Sequence, residues 1–221
     1  MTDDVNRIHE SKDVTSRCIS DGLSGNSVDE APMAANSEGR LGQKERTAIV
    51  VLGMHRSGTS ALTRVLSILG AGLPETVMGA SEGNDRGHWE PTRLMEYNDR
   101  LFKDLGTTWY DWTPLDLTLL SMRERTRLED DWAEIIDQEF SNASTIVIKE
   151  PRLSRMSDAF LRAMEASNSK TVPIIPLRNP LDVIESLQAR STWPVSCDRM
   201  DASFLWLSSI LQVEKAARYR P

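Results

Sequence analysis

The stretch from Thr47 to Ser60 constrains the fold of this 221-residue chain most strongly. A short apolar run over residues 48–52 predicts a buried parallel strand, and it stops at a glycine. A turn with two glycines and an arginine follows over residues 53–58. Apolar residues then recur at helical spacing to residue 69. Strand, glycine turn and helix in this order indicate a βα unit of an α/β fold.

The turn itself has the composition of an anion-binding loop. In a strand–turn–helix unit the N–H groups of the turn point into one small space, where the helix dipole adds positive potential. Gly53 and Gly58 match the G-x-x-x-x-G spacing of a P-loop, but Thr59 and Ser60 follow where that motif has lysine. The cation is instead Arg56, whose guanidinium can hold two oxygens at once. A plain turn whose glycines serve packing alone is the alternative.

The rest of the chain alternates between strand and helix patterns. Further strands are predicted over residues 145–149 and 172–177, and prolines at 173 and 176 indicate a strand end or a sheet edge. Helices are predicted over residues 92–105, 120–139, 154–166, 180–190 and 202–218. We therefore expect an α/β three-layer sandwich with a short parallel sheet, similar to P-loop NTPases.

Residues 1–46 are polar and acidic and are expected to be a disordered tail before a domain over 47–221. The first 45 residues hold nine acids and five bases, so they carry four of the seven net negative charges. This balance argues against a nucleic-acid partner bound by a broad basic face. Two cysteines, no membrane-length apolar run and no apolar secretory segment together predict a cytoplasmic protein with reduced thiols.

Residues 53–62 read GMHRSGTSAL and resemble the 5′-phosphosulfate loop of sulfotransferases that use 3′-phosphoadenosine 5′-phosphosulfate (PAPS). The resemblance implies that this loop holds the 5′-phosphate and the sulfuryl group of PAPS, the donor substrate. Backbone amides and the side chains of the arginine and the hydroxyl residues would make the contacts. The residues so implied are His55, Arg56, Ser57, Gly58, Thr59 and Ser60.

A second stretch supports the same resemblance, and it reads PLRNPLDVIESLQAR from residue 176 to residue 190. Arg178 is expected at the end of the third strand, and Ser186 lies eight residues later in a helix. In the sulfotransferase family an arginine and a serine at this separation hold the ribose 3′-phosphate. The alternative is that Asn179 caps the helix before Pro180 while the arginine and the serine are surface residues.

Three residues are candidates for catalysis of sulfuryl transfer. Lys149 ends the second strand, where a parallel sheet opens on its ligand crevice, and the family resemblance implies a lysine near the transferred group. The alternative is a lysine that caps the strand and pairs with Glu150 or an exposed acid. Glu90, beside a tryptophan in a glycine-bounded loop, is the predicted general base, and a salt-bridged loop acid is the alternative. His88 is the second choice of base, because small-phenol sulfotransferases use a histidine. Arg152 is a further candidate cation, or it braces the loop.

Aromatic residues are candidates for the acceptor pocket, although core and loop anchoring is the alternative for at least half of them. They are Trp89, Trp109, Tyr110 and Trp112, while Trp193 is a candidate cover for the adenine. His55 is expected to be a packing residue of the loop. The acidic residues form no metal-like pattern with the three histidines, so no metal is predicted.

Three functions remain open at the level of the sequence. The first is a PAPS-dependent sulfotransferase acting on a carbohydrate, lipid or small-molecule hydroxyl or amine. The second is a P-loop kinase of a small metabolite, which needs Mg²⁺ and a lysine in or near the loop. The third is a catalytically silent nucleotide-binding module. Sulfotransferases usually continue with another strand and a basic glycine-containing segment, whereas this sequence stops at AARYRP, so we expect that segment to be truncated or replaced.

Overall fold

A computed structural model of the protein describes residues 46–80, 87–189 and 197–220. Within them, three strands form one parallel sheet in the order β2-β1-β3. The strands are β1 (Arg46–Val51), β2 (Thr145–Lys149) and β3 (Ser169–Ile174). The prediction of an α/β fold with a short parallel sheet is confirmed. The predicted disordered tail over residues 1–46 lies outside the described residues, apart from Arg46.

Six α-helices accompany the sheet in the described part of the chain, and their ends follow local capping. The helices are α1 (Thr59–Ile68), α2 (Thr92–Asp104), α3 (Met122–Glu139), α4 (Ser157–Ala166), α5 (Pro180–Gln188) and α6 (Arg199–Ala217). Ser121 and Glu124 form a capping box, so α3 begins two residues later than predicted. Asp198 caps α6, which therefore begins three residues earlier than predicted.

The third strand lies three residues earlier than predicted. It pairs with β1 from Ser169 to Ile174, and Pro173 lies within it. Proline is tolerated there because β3 is at the edge of this three-stranded sheet. Residues 175–179 continue without strand pairing, so Arg178 does not lie at the strand end as expected but in the connection to α5.

A second difference concerns the segment after β2. The sequence predicted one helix over residues 154–166, but the chain first forms a 3-10 helix over Pro151–Met156 and then α4. Pro151 occupies the first position of the 3-10 helix, where its missing N–H costs nothing, and the side chain of Glu150 caps this turn. Within this turn Ser154 accepts a hydrogen bond from the Gly53 N–H shortly after β1. Arg155 instead donates to Thr107 and to Thr113 O in the segment after α2.

The core lies against the sheet and is built from alternating strand residues. Ala48, Val50, Ile146 and Ile148 are fully buried and belong to one cluster with residues of α3 and α4. In that cluster the indole of Trp132 packs edge-on against Phe160, with ring centroids 5.5 Å apart. α1 contacts β1 and β2, whereas α4 contacts β3. No helix among the described residues is long and apolar enough to cross a membrane.

The outer edge of β2 is covered by the chain that follows α1. The Gly72 N–H donates to Thr145 O at 2.9 Å, and the Val147 N–H donates to Gly72 O at 3.0 Å. A Cβ atom at residue 72 would lie 2.6 Å from Ala143 Cβ, so a side chain does not fit there. Glycine is required at this position by the close approach of two backbones.

We expect Gly72→Ala to lower the free energy of unfolding by about 1–3 kcal/mol, because overpacking pushes the covering segment off β2. Gly79→Ala is the matched control, since a Cβ atom there meets nothing within 4 Å. Its effect should stay within about 0.5 kcal/mol, as for other surface substitutions. Urea denaturation of both variants measures the difference, and equal stabilities would contradict the packing described for Gly72.

Candidate functional site

The candidate site lies where the carboxyl ends of β1 and β2 meet the connection from β3 to α5. The turn after β1 is anchored at its start, because the Gly53 N–H donates to Ser154 Oγ at 3.0 Å. Gly53 has φ +154°, and a Cβ atom there would contact Thr59 and Pro176. The turn is therefore held between β1, the 3-10 helix and the segment after β3.

The backbone of the turn has the alternation that forms an anion-binding concavity. Arg56 has φ 69° and Gly58 has φ 87°, whereas residues 55, 57 and 59 have negative φ. Backbone N–H groups converge when left- and right-handed residues alternate in this way. Gly58 precedes α1 without a side-chain cap, and the first turn of α1 holds no acidic residue. The positive end of α1 is therefore neither capped nor neutralised by its own residues.

The two predicted phosphate-binding motifs meet in space. The Arg56 Nε–H donates to Ser186 Oγ at 2.8 Å, across 130 residues of sequence. A guanidinium N–H of Arg178 donates to Arg56 O at 3.0 Å. Arg56 and Ser186 are thus in direct contact, and Arg178 reaches the backbone of the loop. Arg178 is exposed, so its guanidinium lies at the open side of the site. Its Nε lies 3.7 Å from Asp182 Oδ2.

A buried lysine joins the second strand to the loop. The Lys149 ammonium donates to Ser60 Oγ at 3.2 Å, to His88 O at 3.1 Å and to the carboxylate of Glu90. These acceptors engage all three N–H groups of the ammonium. The side chains of Lys149 and Glu90 are both buried. His88 Nδ1 lies 3.9 Å from Glu90 Oε1, so all three predicted catalytic residues are in one cluster.

Arg152 extends this cluster into a charged network. Its Nη1–H donates to Glu150 Oε1 at 2.8 Å and lies 3.8 Å from Glu90 Oε2, and its Nε–H donates to Asp99 Oδ1 at 2.6 Å. Burial raises the pKa of Glu150, and the negative charge of Glu90 raises it further against the attraction of Arg152. Burial lowers the pKa of Arg152, but the Glu150 and Asp99 carboxylates outweigh it and raise that pKa overall.

Behind Arg152 the network ends in the core. Asn98 Nδ2–H donates to Glu150 Oε2 at 2.8 Å, and the Trp132 indole N–H donates to Asn98 Oδ1 at 3.0 Å. Asn98, Glu150 and Trp132 are all fully buried. Their polar atoms are paired with one another, which holds Arg152 in a fixed position relative to α2 and α3.

The candidate aromatic residues contact other rings and nearby arginine side chains. The His55 ring lies 4.5 Å from the ring of Trp109, and the Arg152 guanidinium lies 5.9 Å from the same indole. Arg64 lies over the ring of Trp89 at 4.8 Å. Trp112 lies 5.0 Å from the ring of a residue of α6, Phe204. Tyr110 packs edge-on against Trp109, and Trp193 lies outside the described residues.

The remaining predicted loop residues are buried beneath the turn. Ser57 and Thr59 are both buried, and the Thr63 hydroxyl donates to Thr59 O at 2.9 Å. Ser57 Oγ has no hydrogen-bond partner among the described residues. An unsatisfied buried hydroxyl in a turn of convergent N–H groups fits a turn that takes an additional polar partner. Within the described residues no group of three or more metal-ligating side chains is close enough to hold a metal ion.

Sequence reasoning missed several residues that organise the site. Ser154, Asn98, Glu150 and Asp99 support the loop or Arg152. The run KEPR, which begins at the last residue of β2, was the available signal for Glu150, because it places two cations and a carboxylate at a strand end. No comparable signal marks Asn98 and Asp99, which lie in an amphipathic helix pattern.

Comparisons with known proteins identify no family. The chain matches no protein-family model, and no curated protein or solved structure matches it significantly.

We expect Glu90→Gln to destabilise the protein by about 3–5 kcal/mol, because the buried Lys149 side chain would lose its carboxylate partner. The double variant Glu90→Gln, Lys149→Met removes both charges and should recover part of this loss. Glu214→Gln is the control, since it breaks an exposed Glu–Arg pair and should leave the stability unchanged. Chemical denaturation measures all three variants, and a double variant no more stable than Glu90→Gln would argue against coupling of the two charges.

Proposed function

We propose that this protein transfers a sulfuryl group from PAPS to a hydroxyl or amine of a carbohydrate, lipid or small-molecule acceptor. Two hydrogen bonds carry the proposal, from Arg56 to Ser186 and from Arg178 to the Arg56 carbonyl. They bring together two motifs that resemble the 5′- and 3′-phosphate sites of one family. A single molecule with charged groups at both ends of an adenosine is the ligand that such a pair of sites suits.

The loop after β1 is the proposed site of the 5′ end of PAPS. Its alternating φ signs, the uncapped start of α1 and the guanidinium of Arg56 all favour an anion there. Ser60 adds a hydroxyl that already contacts Lys149. Arg178 and Ser186 are the proposed ligands of the 3′-phosphate, which distinguishes PAPS from an adenylate without that group.

PAPS supplies an activated sulfuryl group whose leaving group is a phosphate. Lys149 is the proposed cation that stabilises the charge developing on that phosphate, since its ammonium lies at the loop hydroxyl of Ser60. Glu90 is the proposed general base, and the Lys149 ammonium holds its carboxylate in position. His88 is the alternative base, because its side chain is more exposed than that of Glu90 and lies next to it.

The strand order also supports the finer expectation of a three-layer, P-loop-like architecture. The connection from β1 to β2 and the one from β2 to β3 run in opposite directions along the sheet. If both crossovers are right-handed, as nearly all are, α1 of the first connection and α4 of the second lie on opposite faces, and α3 packs beside α4. Fully buried residues on both faces of β2 agree with this arrangement, among them Val147 and Ile148.

One observation favours the small-metabolite kinase as a second candidate. The loop has no lysine of its own, but Lys149 reaches its hydroxyl residue from the neighbouring strand. A phosphate-binding lysine near the loop is what a kinase needs, together with Mg²⁺. The two functions differ in the nucleotide they bind and in their need for a metal ion.

We expect 3′,5′-adenosine bisphosphate to raise the melting temperature of the protein without Mg²⁺, because it carries both phosphates of the donor. ATP with Mg²⁺ should have little effect. The opposite result would favour the kinase, and no response to either would favour a silent module. Thermal shift assays at several ligand concentrations measure these responses.

The two phosphate sites can be tested separately by comparing the bisphosphate with 5′-AMP. Arg56→Ala should weaken binding of both by about 1.5–3 kcal/mol, or roughly 10- to 150-fold in Kd, because a charged hydrogen bond is lost. Arg178→Ala and Ser186→Ala should weaken binding of the bisphosphate more than binding of 5′-AMP. Arg162→Ala removes an exposed arginine of α4 and should change neither affinity. Unchanged binding in Arg56→Ala would show that the 5′-phosphate is not bound by this loop.

A further inference from the structure

α6 is apolar on two opposite sides, and only one of them is covered. Its inner side packs into the protein through residues that include Ala202, Leu205 and Val213. At about 100° per residue, a second apolar stripe lies on the opposite side of the helix. That outer stripe comprises Met200, Phe204, Leu207 and Leu211, which are 66%, 41%, 44% and 58% exposed.

A helix that is apolar on opposite sides is normally buried on both. Removing each apolar stripe from water stabilises the protein. The Trp112 ring lies 5.0 Å from that of Phe204, but all four side chains of the outer stripe keep at least 41% of their surface exposed. The stripe ends in a charged turn that contains Glu214, Lys215 and Arg218. A surface of this kind marks an interaction site for another apolar surface.

The spacing of the outer stripe identifies the partner it suits. Its residues are separated by four, three and four positions, which is the spacing of a coiled-coil seam. The pattern reads the same in both directions. A stripe with this property is complementary to a second copy of itself in antiparallel orientation, as an isologous interface requires.

We propose that the outer stripe of α6 is a homodimer interface in which two copies of the helix pack antiparallel. The two-fold axis passes between residues 205 and 206. Met200 then contacts the partner subunit's Leu211, and Phe204 contacts the partner subunit's Leu207. Trp112 borders the seam beside Phe204 and widens the apolar surface.

The charges beside the seam favour the antiparallel orientation. Arg199 and Glu214 lie on the same flank of the helix by their spacing. In antiparallel packing, Arg199 is level with position 212 of the partner subunit, about two residues from the partner subunit's Glu214. The same pairing occurs at both ends of the seam. Parallel packing would instead place Arg199 and the partner subunit's Glu214 at opposite ends of the seam, out of reach of each other. Opposite charges at flanking positions set partner orientation in coiled coils.

The size of the surface indicates a weak dimer. The seam from Met200 to Leu211 is about 16 Å long. Four side chains and the edge of Trp112 offer less than the roughly 800 Å² per partner of a standard interface. We therefore expect an equilibrium between monomer and dimer in the micromolar range.

Sedimentation equilibrium of the full chain over a concentration series tests the proposal. The wild type should show a mass that rises towards twice that of the monomer. Phe204→Glu and Leu207→Glu should each stay monomeric, or raise the dissociation constant at least ten-fold, and the two separate variants guard against misfolding of one. Leu119→Glu alters another exposed leucine outside the stripe and should dimerise like the wild type.

A disulfide experiment tests the orientation. In a background with Cys18→Ser and Cys197→Ser, the variants Met200→Cys and Leu211→Cys are prepared separately and then mixed under oxidising conditions. The mixture should form the mixed disulfide dimer far more than either variant alone. Preferred pairing of Met200→Cys with itself would overturn the antiparallel arrangement.

Two other outcomes would overturn the proposal. A wild type that remains monomeric throughout the series has no such interface, and a dimer that survives both glutamate variants uses another surface. Vesicle binding by a monomeric wild type, abolished in Phe204→Glu, would instead assign the stripe to a lipid surface. Binding of 3′,5′-adenosine bisphosphate should be unchanged in Phe204→Glu, so failure of the dimer and failure of the proposed activity are distinguishable.

Discussion

The contact between Lys149 and Glu90 is the interaction on which the candidate site depends. Both side chains are buried, so each charge is tolerated only because the other is present. Lys149 comes from the end of β2 and Glu90 from the segment before α2, and Ser60 brings in the first turn of α1. One ammonium group therefore fixes three separate pieces of chain relative to one another.

A second set of contacts pairs the other charged and polar groups that lie beside Lys149 and Glu90. Arg152 balances the negative charges of Glu150 and Asp99, and Asn98 and Trp132 satisfy the remaining acceptor atoms around Glu150. A buried polar network is stable only when its members are satisfied in this way. The same network holds Arg152 beside the indole of Trp109, which in turn packs on His55 of the loop.

Much of this arrangement was predictable because the fold places strand ends at a common edge. The βα unit around Gly53, the strand ending at Lys149 and the helix beginning at Pro180 were read from apolar runs, glycines and prolines. The third strand was misplaced, because its apolar run continues past the point where pairing with β1 stops. Asn98 gave no signal, since its role is set by Trp132 and Glu150, which are 34 and 52 residues away.

The sequence by itself determined the α/β class and the strand–turn–helix order around Gly53, because these follow from local periodicity and from the conformational demands of glycine and proline. Only the tertiary structure decided that Arg56 and Ser186 are in contact, and that Lys149 is the buried partner of Glu90. It also decided that packing buries one apolar stripe of α6 and leaves the other exposed. These outcomes depend on which distant segments pack together, and local sequence patterns contain no information on such pairings.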